Sequence, residues 1–464
     1  MRWLLERGGP IDRLSQTVLL TVPAGAEQPR LTAALQALID HHAMLRARLT
    51  QDGELDVADA AGCVRAADLL DRRDVSRIDD LRAAVAEESE RVPGLLDPAA
   101  GVMVRAVWFD AGPDRAGRLL LVVHHLAVDG VSWRILVPDL ETAWAALAQG
   151  RTPKLPPVGT SFRRWSALLG EEARRPERVA EAGLWRRVLA APRTPLGGRP
   201  LDPARDTAAG LRSLRLTLPA GTTGPLLTTV PSTFGTGTQE VLLTGLALAV
   251  ADRQGTEHVL VDVEGHGREE LTPGLDLSRT VGWFTSLYPV HLDLTGLDLS
   301  DALAAGPAAE TAARRVGQRL RELPDRGIGF GLLRHLNPDT APGLSEHPAP
   351  AIGFNYLGRF AAPGHAAEWA FAPESGSLGS GTEPGLGTAH TLDLNAVVHD
   401  LDTGPRLVAD WTWPDGVLTE PEVRALADSW FAALTALVVR ADGAAPLTDL
   451  SQDELDELAA GLDG

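Results

Sequence analysis

One cysteine, Cys63, stands among 464 residues, so there is no internal disulfide framework, and a lone thiol fits a reducing cytoplasm. Long apolar runs are missing as well: no stretch approaches the roughly 20 residues of a membrane-spanning helix. The opening, MRWLLERGGPIDRL, has no apolar core long enough for a signal peptide. Basic residues are in deficit, 43 Lys and Arg against 62 Asp and Glu, for a net charge of -19. That balance argues against nucleic acid or an anionic membrane as the main partner. Repeats are lacking too. What is present is a globular composition, 44% hydrophobic, on a chain longer than one core usually serves, so two domains or lobes are expected.

The stretch Leu119 to Leu136, LLLVVHHLAVDGVSWRIL, joins an apolar run to two histidines, a loop with Asp129 and Gly130, and a helical pattern. The Leu- and Val-rich run suits a strand covered on both faces. Successive strand side chains point to opposite faces, so His124 and His125 cannot share one cavity: one acts and the other packs. Ser132, Trp133, Leu136, Leu140, Trp144 and Leu147 recur at helical spacing, with Asp129 or Ser132 placed to cap the first free N–H groups. Pro138 is expected to kink or restart that helix. His124, His125 and Asp129 make a poor metal set, because adjacent histidines converge badly on one ion. A second pair, His41 and His42, closes a helix with Leu31, Leu35, Leu38 and Ile39 on one face, and reads as a helix end without chemistry.

In chain order, the pattern predicts a strand near Val18 to Val22, a helix over 30–42, a strand at 45–49, an acidic helix over 76–91 and a strand at 102–109. A basic helical stretch, 161–189, precedes a Pro-, Gly- and Asp-rich segment. The expected division is therefore a first lobe 1–190, a linker 191–210, a second lobe 211–448 and an acidic, linker-like tail 449–464. In the second lobe Thr238 to Ala251 reads as a buried helix. Val259, Val261 and Val263 face one way while Leu260, Asp262 and Glu264 face the other, and the strand breaks at Gly265. Glu264 thus sits at a strand tip, as the histidines do. Glycines flank His266 in EGHGREEL and allow close backbone approach. Phe354 to Phe360 ends a strand with Asn355 and Tyr356 side by side, and Pro373 to Thr388 reads as a flexible, solvated Gly and Ser covering. A hairpin follows over 392–413, then a capping box of Thr419 with Glu422. GIGFG at 327–331 lacks the preceding strand that a nucleotide-binding fingerprint needs.

Five segments stand in one order: HHLAVDGVSWRIL, VEGHGREEL, TVGWFTSLYPVHL, GIGFGLL and FNYLGRF. Together they resemble the epimerization domains of nonribosomal peptide synthetases over most of the chain from Leu20 to Phe360. Condensation domains share the HHxxxDG core, while the VSWRIL, EGHGRE and TVGWFTSLYP segments are similar to the epimerization type. The resemblance implies an α/β (α+β) fold of two chloramphenicol-acetyltransferase-like lobes, a V-shaped pseudo-dimer with a central channel. Its substrate would be an aminoacyl or peptidyl thioester on the 4'-phosphopantetheine arm of an upstream carrier domain, inverted at Cα, with a synthetase module downstream. No metal or cofactor of its own is implied. LGGRP at 196–200 lacks the modifiable serine of a carrier attachment site, so the chain is expected to carry no such arm.

Inversion at Cα requires a base on one face and a proton donor on the other, each best served by a pKa near the working pH. Histidine meets that condition unperturbed, and a glutamate does so when burial or neighbours raise its pKa. By the resemblance His125 is the active histidine, expected to face Glu264 across the channel, with His124 and Asp129 structural. Asp129 would hold the loop through a charged hydrogen bond. For the enolate oxygen the candidate donors are Tyr356, Asn355 and Arg268, although Arg268 serves equally to fix Glu264 or the fold. Trp283 and Phe284 read as channel wall or core. An acidic carrier could dock on the arginines between Arg163 and Arg187, or on Arg314, Arg315, Arg319 and Arg321, which equally suit solvated helix faces. Two other functions stay open: an amide-forming condensation enzyme, in which His125 helps an amine attack a thioester, and a noncatalytic carrier-docking module.

Overall fold

The computed structural model describes residues 1–58, 63–193, 196–361, 368–378 and 381–443. The expected acidic tail lies outside these residues. The first lobe contains β1 (Ser15–Val22), β2 (Ala47–Leu49), β3 (Leu55–Val57), β4 (Leu70–Asp74), β5 (Val104–Asp110) and β6 (Gly117–His124). Its main sheet has the order β1-β6-β5-β4, with β2 and β3 forming a separate pair. Strand β6 lies between two antiparallel neighbours, Ser15 opposite His124 on one side and Val104 opposite Val123 on the other. Both faces of β6 are covered, as its continuous apolar run requires. Leu119, Leu121 and Val123 pack with helices Gln28–His41 and Trp133–Ala148, while Leu120 and Val122 pack with Val85 and Phe109. Each such side chain adds roughly 1.5–3 kcal/mol, an upper bound because the unfolded chain is itself partly collapsed.

The second lobe carries β7 (Leu211–Leu218), β8 (His258–Gly265), β9 (Ser286–Asp293), β10 (Ile352–Ala361), β11 (Leu392–Leu401) and β12 (Gly404–Pro414). These form one sheet in the order β7-β12-β11-β10-β8-β9, in which β10 runs parallel to both neighbours. One face of the sheet is apolar. Val259, Val261, Val263, Phe354, Leu392 and Leu394 pack beneath helices Thr238–Gln254, Pro307–Arg321 and Glu420–Gly443. Helix Thr238–Gln254 is buried without a break from Val241 to Ala251, which accounts for its uniformly apolar sequence. The other face is polar and looks towards the first lobe.

Several local expectations change. The acidic helix begins at Arg82, where Asp80 accepts from the Arg82 N–H, and the residues before it form turns. The 45–49 strand shortens to Ala47–Leu49, behind a 3-10 turn. Pro176 opens a new helix inside the basic stretch, which divides into Phe162–Glu172, Pro176–Ala180 and Ala182–Leu189. Helix Trp133–Ala148 continues as one element through Pro138. The hairpin and the capping box form, the latter with Glu422 Oε2 accepting from Thr419 N and Oγ1.

The largest correction concerns Pro373 to Thr388. Before this stretch, Trp369 and Ala372 donate to the Thr21 and Leu19 carbonyls, and Thr21 donates back to Ala370, so the chain from the second lobe extends the first lobe's sheet along β1. Within it, Gly381 accepts from Ser15, Arg118 binds Glu374, and Glu383, Leu386 and Thr388 are buried. The segment is a strap across the seam rather than a solvated covering. An edge strand leaves a row of backbone groups unpaired, and the strap satisfies those at Ser15, Leu19 and Thr21. No described helix is long and apolar enough to cross a membrane.

Candidate active site

Between the lobes runs a channel of about 1120 Å³, lined by Gln16, His125 and Gly130 from the first lobe and by Glu264, Trp283 and Asn355 from the second. The strand tips singled out in the sequence therefore meet in one cavity. Each histidine has a distinct place. His124 is fully buried, and its Nδ1 accepts from the Leu126 N–H, so the proton sits on Nε2 and is donated to the Ile11 carbonyl at 2.8 Å. Burial pushes its pKa down to about 4. The unfolded chain takes up this proton below its ordinary value of 6.5, whereas the folded chain resists until about 4. Stability present above the ordinary value is thus lost as pH falls through that window, by about 3 kcal/mol in all. His124→Gln should be less stable near neutral pH yet lose less on acidification, as urea unfolding at about pH 7 and about pH 4 would measure.

His125 faces the channel. Trp133 Nε1–H can only donate, and it donates to Gln16 Oε1 at 2.8 Å, so the Gln16 amide N–H points at His125 Nε2, 3.2 Å away. That leaves Nε2 as the acceptor of a neutral ring. Nδ1 is buried without a hydrogen-bond partner among the described residues and carries the proton that Nε2 lacks. Burial lowers the pKa, consistent with the neutral form. Trp283 lies against the ring with centroids 4.2 Å apart, and so acts as channel wall.

Asp129 stays out of the cavity and ties the lobes together. It accepts from Ser132 N and Oγ, both at 2.8 Å, from Phe284 N, and from Arg268 at 3.0 Å. Arg268 also donates to the Leu277 and Thr280 carbonyls and stacks over Phe284 at 3.9 Å. Of its two expected roles, donor in the channel or support of Glu264 or the fold, the structure places it in the support of the fold. Gly267 makes this path possible: its φ is +65°, and a Cβ there would strike the Phe284 carbonyl. His42 proves more than a helix end, since it bonds Asp139 at 2.8 Å and Asp139 pairs with Arg279 of the second lobe.

Glu264 extends from the polar face of β8 into the channel, and among the described residues no hydrogen bond or ion pair engages it. Its surface is open to the cavity, yet the surrounding protein still desolvates it. Burial first, and then Asp393, push its pKa up to about 7. Asn355 lines the same channel, one strand away. Tyr356 does not. Alternation turns it to the other face of β10, where it packs against the second lobe's core, with Arg359 and Asp400 as its charged neighbours. The expectation of Tyr356 as a donor in the channel is corrected on that ground.

Sequence reasoning missed Gln16, Asp262, His390 and Asp393, all in the channel wall. Polar residues alternating with Leu392, Leu394 and Ala396 were a visible signal, but on a strand that pattern ordinarily marks a solvent face. GIGFG has a packing role: a Cβ on Gly327 would run into the Tyr288 ring, and one on Gly329 into Glu181. Of the two arginine groups, Arg174 lines the channel, and Arg315 and Arg319 border a separate cavity.

Comparison with known proteins agrees with this architecture. The chain is 34% identical over 438 residues to a linear gramicidin synthase of Brevibacillus parabrevis, covering 92% of this chain and 8% of that one. It is 34% identical over 476 residues to chondramide synthase of Chondromyces crocatus, covering 98% and 12%. It thus spans a small part of each. Among solved structures, the epimerization domain from the third module of tyrocidine synthetase B superposes with a TM-score of 0.82 at 28% identity, covering 95% of this chain and 96% of that one. The X-domain from teicoplanin biosynthesis follows at 0.69 and 21% identity, covering 94% and 93%, a likeness of fold. A family model for the condensation domain matches residues 13–390, and the chain belongs to that family.

Proposed function

We propose that the chain inverts the Cα centre of an aminoacyl or peptidyl group held as a thioester on the phosphopantetheine arm of an upstream carrier domain. The observation that carries this is the pairing across one channel of a neutral imidazole, His125, with a carboxyl held near neutrality, Glu264. The thioester carbonyl acidifies Cα–H. His125 Nε2, whose single lone pair the Gln16 amide gives up when substrate enters, takes that proton, and the electron pair of the C–H bond moves into the carbonyl as an enolate. Protonated Glu264 then returns a proton to the opposite face, leaving an imidazolium and a carboxylate that solvent exchange or the reverse reaction resets. One group must be empty and the other loaded, and near neutral pH the two environments meet both conditions. The Asn355 amide is the proposed donor to the enolate oxygen. The likeness to a domain named for epimerization supports this chemistry. The chain needs no metal or cofactor of its own for it, and a further synthetase module is the proposed downstream partner.

The test is deuterium uptake at Cα of a carrier-bound L-aminoacyl or peptidyl thioester in heavy water, with chiral analysis of the released acid. Uptake with D product is the expected result. Amide product from two loaded carriers, without uptake, would assign condensation instead, and binding of loaded carrier with neither outcome would leave a docking module.

A further inference from the structure

We propose that Asp262, His390 and Asp393 form a fixed charged cradle behind Glu264 that keeps its carboxyl supplied with a proton, with His390 as a positioning residue that never transfers the proton itself. This deepens the epimerase reading and rests on it. His390 is buried, with Nδ1 2.7 Å from Asp393 Oδ1 and Nε2 3.1 Å from Asp262 Oδ2. Burial pushes the Asp262 carboxyl up, and the bond and charge of His390 oppose that shift. With both carboxyls ionised they only accept, so both ring nitrogens donate and the ring is an imidazolium without a free lone pair. Such a ring is a fixed cation and cannot serve as a base.

Its placement spans three strands. Asp262 precedes Glu264 by two residues on the same face of β8, and Gly353 of β10 pairs with Asp262 on one side and Asp393 on the other. A Cβ on Gly353 would strike Asp393 Oδ1 and lie 2.6 Å from His390 Nδ1, so only glycine leaves room for the His390–Asp393 pair to lie over β10. The charged groups facing the cradle are Glu264 on β8 and, near Asp393, Arg7 from the helix Arg2–Arg7. Within the cradle two carboxylates surround one cation; Arg7 offsets part of the charge on Asp393 but is not among the groups that act on Glu264, so the field at Glu264 favours its protonated form. Asp393 and Asp262 raise the Glu264 pKa while His390 opposes them, and His390 itself is held at about 10. The cradle therefore keeps one charge while Glu264 titrates in front of it.

Asp393→Asn removes one negative charge and leaves His390 paired with Asp262. In the pH profile of Cα exchange, the limb belonging to Glu264 should move to lower pH by about one unit, while the limb of His125 stays in place. A merely structural role would lower stability and leave both limbs unmoved. On the unmodified chain, 15N NMR of labelled histidine should find one ring with both nitrogens protonated and no titration from about pH 5 to about pH 9, and His390→Asn should remove that signal. An unmoved limb in folded Asp393→Asn, or a His390 signal that titrates near its ordinary value, would overturn the cradle. If Asp393→Asn does not fold, the NMR result decides. No exchange in the parent would overturn the epimerase reading itself, whereas exchange in the parent with an unmoved limb would overturn the cradle alone.

Discussion

Glu264→Gln is expected to lower Cα inversion by about 10²–10⁴-fold while making the protein more resistant to urea above neutral pH. Glutamine keeps the shape of the side chain but neither accepts nor returns a proton. The stability effect follows from linkage. In the folded chain Glu264 holds its proton up to about 7, against an ordinary value of 4.5. Its contribution is therefore full below the ordinary value and is lost as pH rises through the folded one, about 3 kcal/mol in all. Glutamine escapes that loss, so the gap between variant and parent should open between about pH 5 and about pH 8. Urea unfolding at both ends of that range, beside chiral analysis of product, measures both effects. Normal inversion, or an equal fall in stability with pH in both proteins, would reject the assignment. His125→Ala should lose inversion to a similar degree without this alkaline stabilisation.

The second large effect is on the seam. Asp129→Ala should cost about 3–5 kcal/mol, the usual range for removing one partner of a buried ion pair. Asp129 and Arg268 have side chains only 4% and 10% exposed, so solvent does not take over the lost contact. Arg268 would keep the Leu277 and Thr280 carbonyls but no counter-charge. The Phe284 N–H would lose its acceptor as well, and the Ser132 N–H would keep only the Asp129 carbonyl. The pair joins a residue four positions after His125 to one four positions after Glu264, so exchange should weaken together with stability. A double-mutant cycle with Arg268→Met should recover part of the loss and return a coupling energy on the order of 1–3 kcal/mol. A cost for Asp129→Ala below about 1 kcal/mol would mean that this tie does not hold the lobes.

Local chemistry accounts for what could be read along the chain. Alternation along β6 requires His124 and His125 to part, and alternation along β8 puts Glu264 opposite Val263; both hold because a strand has two faces whatever surrounds it. Thr419 with Glu422 and the hairpin around Asp402 to Gly404 are decided within a few residues. Tyr356 shows the limit. Periodicity states that it and Asn355 face apart, but which of them meets the channel depends on where the helices Thr238–Gln254 and Glu420–Gly443 cover the sheet. Arg268 shows it again, since its partner Asp129 is 139 residues away and in the other lobe.

The strap and the cradle belong wholly to the tertiary level. The glycines and serines of 373–388 carry little local preference, and the chain is held at Trp369 to Ala372 and at Gly381 by the open edge of β1, which no nearby sequence announces. Asp262, His390 and Asp393 are each unremarkable polar residues on or beside strands. They become a charged unit only because parallel pairing of β8, β10 and β11 stacks them behind Glu264. Residue type and period set which side chains share a face. Long-range strand pairing and burial set which face becomes the channel, and with it which carboxyl holds a proton near neutral pH.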